Sequence, residues 1–321
     1  MKRFILCVAL LFSAAVLSAQ HVETDVKVEC DWGTLSATLA TPAEGSDTVV
    51  VIVAGSGPTD RNGNSAQSLM PYSYKMLSDG LVAEGYAVFR YDKRAIGRSP
   101  IPKEDVPSLL LDDYVDDVMM CVDYLRKEGY KSLIVAGHSE GGLIALIAAS
   151  RGVECDGVVL LAAPGYPMDE ILRTQLNAQL MPQYMGLMIQ ADMILRRLKA
   201  AERIANDDIP KELISLFHSS VQPFLINSMQ YNPQQLAKDV AVPMLVINGG
   251  HDIQVSRSNG EALVRSQPNA QHVVFEEMTH VLKDWPSDDR VEQVVNVYVN
   301  SFLPLSKGLV PALSQFINTL K

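Results

Sequence analysis

Residues 132–150 read SLIVAGHSEGGLIALIAAS, and this stretch decides the fold. An apolar, β-branched run at 132–137 suits a buried strand. Gly137-His138-Ser139-Glu140-Gly141 then forms a G-x-S-x-G turn, and the apolar residues 143–150 that follow suit a helix. A serine on so sharp a strand-to-helix turn projects its Oγ beyond the end of the sheet. Neighbouring backbone must then come very close, so small residues are needed at 137 and 141. The helix behind the serine aims its free N–H groups and positive end at whatever the serine attacks. An ordinary turn would use the serine only as a helix cap. The buried strand before it and the apolar helix after it favour a nucleophile.

Working outward, strands and helices alternate over most of the chain. Residues 26–30 and 34–40 are β-rich and flank Asp31-Trp32-Gly33, which predicts an N-terminal hairpin. Strands are expected at 48–55, 86–92, 132–137, 157–163, 243–249 and 272–277. Helices are expected at 69–84, 112–128, 143–150, 290–302 and 308–320. This alternation predicts an α/β fold with a mostly parallel sheet. One stretch breaks it. Residues 166–240 hold no convincing strand, and their pattern is helical, punctuated by Pro182, Gly186, Pro210 and Pro223. They are read as a helical insertion lying over the sheet.

A nucleophilic serine needs a base, and the base needs an orienting acid. His138 sits beside Ser139 and cannot easily point the same way. His21, His218 and His272 fall at the start of the chain, in the insertion and in a strand. His251 and His280 remain, both in loops after strands. His280 follows HVVFEE, and Asp252 follows PMLVING, so Ser139, Asp252 and His280 come in the order acid-then-base after the serine. Both loops lie at carboxyl ends of strands, where open α/β sheets gather their sites. Asp284, Asp288 and Asp289 are weaker acid candidates because they follow the histidine.

Composition narrows the class. The chain has 321 residues, 48% hydrophobic and 20% charged, which is a globular balance. Its 27 basic and 37 acidic residues give a formal charge of -10, which argues against a nucleic-acid partner. The first residues, MKRFILCVALLFSAAVLSAQ, carry Lys2 and Arg3, an apolar run to Leu17, then Ser18 and Ala19. Residues 1–19 are read as an export signal, implying a periplasmic or secreted protein. The run is shorter than the roughly 20 residues that span a bilayer, so no stable membrane anchor is expected. Of the four cysteines, Cys30, Cys121 and Cys155 lie beyond that signal, and none forms a CxxC pair. No metal-ligand spacing and no cofactor motif is present, so neither a metal nor a cofactor is expected.

The motifs GSGPTDRNGN at 55–64, RYDKRAIGRS at 90–99, GHSEGG at 137–142, LAAPGYP at 161–167, GGHDIQV at 249–255 and THVLK at 279–283 together resemble the α/β-hydrolase superfamily. The resemblance runs over nearly the whole chain beyond the signal. It is nearest to exported bacterial esterases with an N-terminal hairpin and a helical lid. It implies an α/β-hydrolase core at 20–165 and 241–321, a helical lid at 166–240, and cleavage of small-molecule carboxylic esters by a Ser139–His280–Asp252 triad. A serine peptidase or aminopeptidase on the same framework is the alternative. The resemblance further assigns the oxyanion-binding N–H groups to Ser56 and Glu140, with Gly57 an alternative to Ser56. It leaves the oligomeric state open. The Glu140 side chain is expected to pair with Arg61, Arg94 or Arg98, or else to meet a cationic substrate group. Met185 and Met188, in the methionine-rich insertion, are expected to line an acyl pocket. Similar proteins often carry glycine where this chain has Ala95.

Overall fold

The structure, a computed structural model, describes residues 21–65 and 69–320. The proposed export signal lies outside the described residues. Strand alternation explains the core. In Thr48–Val53 all six residues are buried, with Val49, Val51 and Val53 facing one apolar layer and Val50 and Ile52 the other. A strand covered on both faces reads as one unbroken apolar run, as this one does.

The strands are β1 (His21–Cys30), β2 (Gly33–Pro42), β3 (Thr48–Val53), β4 (Ala87–Tyr91), β5 (Ser132–His138), β6 (Gly157–Leu161), β7 (Met244–Gly249) and β8 (Gln271–Phe275). They form one sheet in the order β1-β2-β4-β3-β5-β6-β7-β8. The expected hairpin is β1–β2; it joins β4 antiparallel, and every later pairing is parallel. Helices connect the parallel strands or follow the last of them: α1 (Ser73–Ala83), α2 (Leu111–Lys127), α3 (Glu140–Ser150), then α4 (Met168–Leu180), α5 (Met185–Lys199), α6 (Ile214–Phe217), α7 (Gln222–Ser228), α8 (Pro233–Asp239), α9 (Arg257–Ser266), and after β8 α10 (Arg290–Gln293) and α11 (Leu309–Asn318). Leu77 and Leu81 of α1 join Leu313 and Phe316 of α11 on one face of the sheet. Val115 and Val118 of α2 and Leu143 and Ile147 of α3 cover the other. This is the α/β-hydrolase architecture that the resemblance implies.

Between β6 and β7 the regular elements of the described chain are all helices, from α4 to α8, as the sequence pattern requires. The expected helix at 290–302 is shorter. It runs as α10 and then a single wider turn at Val294–Tyr298. Val294, Val295, Val297 and Val299 are β-branched and lose rotamer freedom in a helix. Asn300 then ends it, its Oδ1 accepting from the N–H groups of Phe302 (2.9 Å) and Leu303 (3.2 Å).

A polar network stitches the hairpin to the parallel sheet. Arg94 Nε donates to both Asp117 oxygens at 2.9 Å, and Trp32 Nε1 donates to the same carboxylate at 2.9 Å. The Arg94 guanidinium also stacks 4.7 Å from the Trp32 ring centre. Burial pushes the Asp117 carboxyl up to about 6, against the pull of Arg94. Removing Asp117 leaves Trp32 Nε1 without its acceptor and Arg94 with only Asp113, 3.1 Å away, a loss of about 2 kcal/mol. Asp117→Ala is therefore expected to lower unfolding free energy by about that amount, read from the urea midpoint at pH 7.

Candidate active site

The end of β5 and the start of α3 build the turn that carries Ser139. Its backbone stands at φ 53° and ψ -125°, a region that non-glycine residues rarely hold. Ser139 N–H donates to Leu161 O at 2.9 Å, which clamps the turn to β6. The close approaches are severe. A Cβ on Gly137 would lie 2.1 Å from Gly141 O, and one on Gly141 would lie 2.2 Å from Val53 O. The helix begins at Glu140, immediately after the serine and three residues earlier than its apolar run suggests.

Ser139 Oγ–H donates to His280 Nε2 at 3.1 Å, and His280 Nδ1–H donates to Asp252 Oδ2 at 2.8 Å. The Asp252 carboxylate is fully buried, and its Oδ1 accepts from Gln254 N–H and Val255 N–H, both at 2.8 Å. The chain thus brings together the three residues chosen from sequence order. His251 is turned away, its Nδ1 bonded to Trp285 O at 2.6 Å. A cavity of about 300 Å³ opens beside Ser139 and His280, walled by Ser56, Gly57, Leu69, Pro71, Val281 and Tyr298. A second cavity of about 300 Å³ lies between α4 and the loop after β7, and Gln254 lines both.

Near the serine, the backbone N–H groups of Ser56, Gly57 and Glu140 have no acceptor among the described residues. The first turn of a helix always leaves such donors. The Glu140 side chain is not held by an arginine. Its Oε1 lies 3.3 Å from Lys93 Nζ. All three candidate arginines are taken. Arg61 pairs with Asp92 at 2.8 Å, Arg94 with Asp117, and Arg98 with Asp25 at 2.9 Å. Asp92 further accepts from the N–H groups of Arg61 and Arg98, so RYDKRAIGRS is a self-bonded loop. Ala95 in that loop stands at φ 65°, where glycine is the unstrained choice. Asp60 does not pair with Arg61; its Oδ1 accepts from Asn62 N–H and Asn64 N–H.

Met185 and Met188 do not reach the serine. α5 turns Ala191, Ile194, Leu195 and Leu198 inward, leaving Met185 54% exposed. Met188 lines a separate groove with Arg173, Ile189 and Met193. The helix of the insertion that comes nearest the site is α4, through the second cavity.

Sequence reasoning passed over His138. It is buried, Tyr74 Oη–H donates to its Nδ1 at 2.8 Å, and its Nε2–H donates to His280 O at 2.7 Å. Gly55 N–H donates to the same Tyr74 oxygen at 3.0 Å. Its direct adjacency to the serine was the only available signal. Among the described residues one trio, His21, Glu23 and Asp79, brings metal-type ligand atoms within 4.8 Å of one another. Lys75 already pairs with Asp79 and Arg90 with Glu23, so the trio is a salt-bridge cluster away from the serine.

The family model described as serine aminopeptidase, S33, matches residues 72–283, about two thirds of the chain. The chain belongs to the serine aminopeptidase S33 family. Esterase EstD of Thermotoga maritima is 28% identical to this S33 protein over 238 residues, 73% of this chain and 54% of EstD. The chain thus spans about half the length of that curated relative. Among solved structures, the Pyrococcus furiosus esterase Pf2001 matches with a TM-score of 0.60 at 20% identity, covering 93% of this chain and 91% of that one. Est1E of Butyrivibrio proteoclasticus, with ferulic acid bound, matches with a TM-score of 0.58 at 18% identity, covering 92% and 98%. These likenesses show the fold.

In this S33 protein, burial and the neighbouring His280 push the His138 pKa down to about 3. The folded state then binds fewer protons than the unfolded state between pH 6.5 and 3. Its stabilising share is complete above pH 6.5 and is lost as pH falls toward 3. Wild type is expected to lose roughly 2–3 kcal/mol more than His138→Gln between pH 7 and pH 4.5, read from urea melts.

Proposed function

We propose that this S33 protein is a carboxylesterase working through an acyl-enzyme. The observation that carries the reading is the continuous chain Asp252–His280–Ser139, ending at a cavity lined by Ser56 and Gly57, whose N–H groups have no acceptor among the described residues. His280 takes the Ser139 proton as Oγ attacks the ester carbonyl. Asp252, locked by Gln254 N–H and Val255 N–H, fixes the imidazole tautomer and stabilises its charged form. Ser56 N–H and Glu140 N–H receive the negative charge that develops on the carbonyl oxygen. His280 returns its proton to the departing alcohol, and water releases the acyl group by the same steps reversed.

Ester rather than aminoacyl substrates fit the wall of the site. A free peptide amine calls for a carboxylate, and among the described residues none lines the cavity beside Ser139, the only unshared acid nearby being Glu170 in the second cavity. The Glu140 carboxylate is buried against Lys93 and out of reach. The relative EstD bears the name esterase, which supports the same reading. The cavity is at the small end for ligand pockets and favours short acyl groups. On the sequence of residues 1–19, the enzyme is proposed to work outside the cytoplasm. Helices α4 and α5 are proposed as its lid, with α4 forming the wall over the second cavity.

Ser139→Ala is expected to abolish p-nitrophenyl acetate hydrolysis, and Asp252→Asn to lower kcat about 10⁴-fold. Hydrolysis of p-nitrophenyl acetate should far exceed that of aminoacyl p-nitroanilides. Faster release of the anilides would overturn the ester reading in favour of a peptidase. Along a p-nitrophenyl ester series, kcat/KM should fall beyond butyrate, and Met185→Ala and Met188→Ala should leave that profile unchanged.

A further inference from the structure

We propose that Lys93 is the positioning residue for both oxyanion donors. The proposal rests on the hydrolase reading above. Lys93 follows β4, which pairs in parallel with β3 so that Arg90 stands opposite Ile52. Continuing that register past both strand ends sets Lys93 opposite Gly55. Its Nζ donates to Gly55 O at 2.5 Å and reaches Glu140 Oε1 at 3.3 Å. Its side chain is 2% exposed, and Nζ lies 5.1 Å from the centre of the Tyr114 ring.

The carbonyl of Gly55 and the N–H of Ser56 belong to one planar trans peptide, so they point in opposite directions. Whatever holds the oxygen on the buried side aims the N–H at the site. An ammonium is the strongest such holder, because a charge-assisted bond in a dry place resists a peptide flip. It also draws electron density toward the oxygen and so makes the N–H a better donor. The preceding amide is fixed as well, through Gly55 N–H on Tyr74. The same ammonium holds the carboxylate of Glu140, whose own N–H is the second donor. One buried charge therefore sets the spacing of two donors that lie far apart in the chain.

Stability alone does not require this pair. Two neutral residues of similar volume commonly fold as well as a buried ion pair. Only a cation, however, gives the Gly55 carbonyl a charged donor. The informative variant is Lys93→Met combined with Glu140→Gln, which removes both charges and leaves neither stranded. Two constants are read, kcat against KM for p-nitrophenyl acetate and the inhibition constant of phenylboronic acid. The boronate forms a tetrahedral adduct on serine and so samples the oxyanion donors.

The expected result is a melting temperature close to wild type, KM within about three-fold, and kcat lowered about 10- to 100-fold. Boronate affinity should weaken by the same factor as kcat. Lys93→Gln combined with Glu140→Gln, which keeps a neutral donor and strands no charge, should lose about three- to ten-fold in both, and it is the second variant should the first not fold. Unchanged kcat and boronate affinity in a folded variant would overturn the proposal. So would a kcat loss that follows the melting temperature while boronate affinity stays as in wild type. Failure of the hydrolase reading shows separately, as wild-type protein whose Ser139 is not labelled by a fluorophosphonate in peptide mass spectrometry.

Discussion

The site depends on one steric constraint, the near-contact of three backbone segments around Ser139. Val53 at the end of β3, Gly137 at the end of β5 and Gly141 in α3 meet so closely that no side chain fits between them. The strained serine backbone exists because this contact over-determines it. The apolar layers on both faces of the sheet hold the strands in place. The register Val53↔Gly137 then sets Ser139 beside the loop at Gly55 and Ser56. Asp252, His280 and the Gly55–Ser56 loop all reach Ser139 from the carboxyl ends of neighbouring strands.

Beneath that surface lies a second layer of polar groups that fixes orientation. Tyr74 holds Gly55 N–H and His138, and His138 holds the carbonyl of His280. The loop carrying one proposed oxyanion donor is therefore tied to the backbone of the proposed base through two buried side chains. A neutral imidazole suits this work, because it donates at one nitrogen and accepts at the other. A charged His138 would have two donors and would lose the bond from Tyr74.

Much of the framework is legible in the sequence because it follows from local rules. A run such as TVVVIV has few alternatives to a strand buried on both faces, and G-x-S-x-G between strand and helix permits one kind of turn. The order of Ser139, Asp252 and His280 places them in loops at one sheet edge, and those three side chains meet there. What the sequence hides is which charge meets which. Three arginines lie in motifs near Glu140, and nothing local sets any of them apart from Lys93. The strand register brings Lys93 to it and gives the arginines to Asp92, Asp117 and Asp25. Met185 and Met188 fail for a related reason. Periodicity separates the two faces of α5 but does not say which face meets the site. Tyr74 and His138 touch across 64 residues, and no local pattern announces such a contact.

The helix behind the serine has a consequence of its own. From Glu140 to Ala149 every residue of α3 is buried, so it has no solvent face along which to fray. Its amides can meet solvent only when the layers on both sides come apart, which places them among the last to exchange with deuterated water. The floor of the site has no partial opening of its own. Loss of the serine turn and loss of the core are therefore one event, and thermal inactivation coincides with global unfolding.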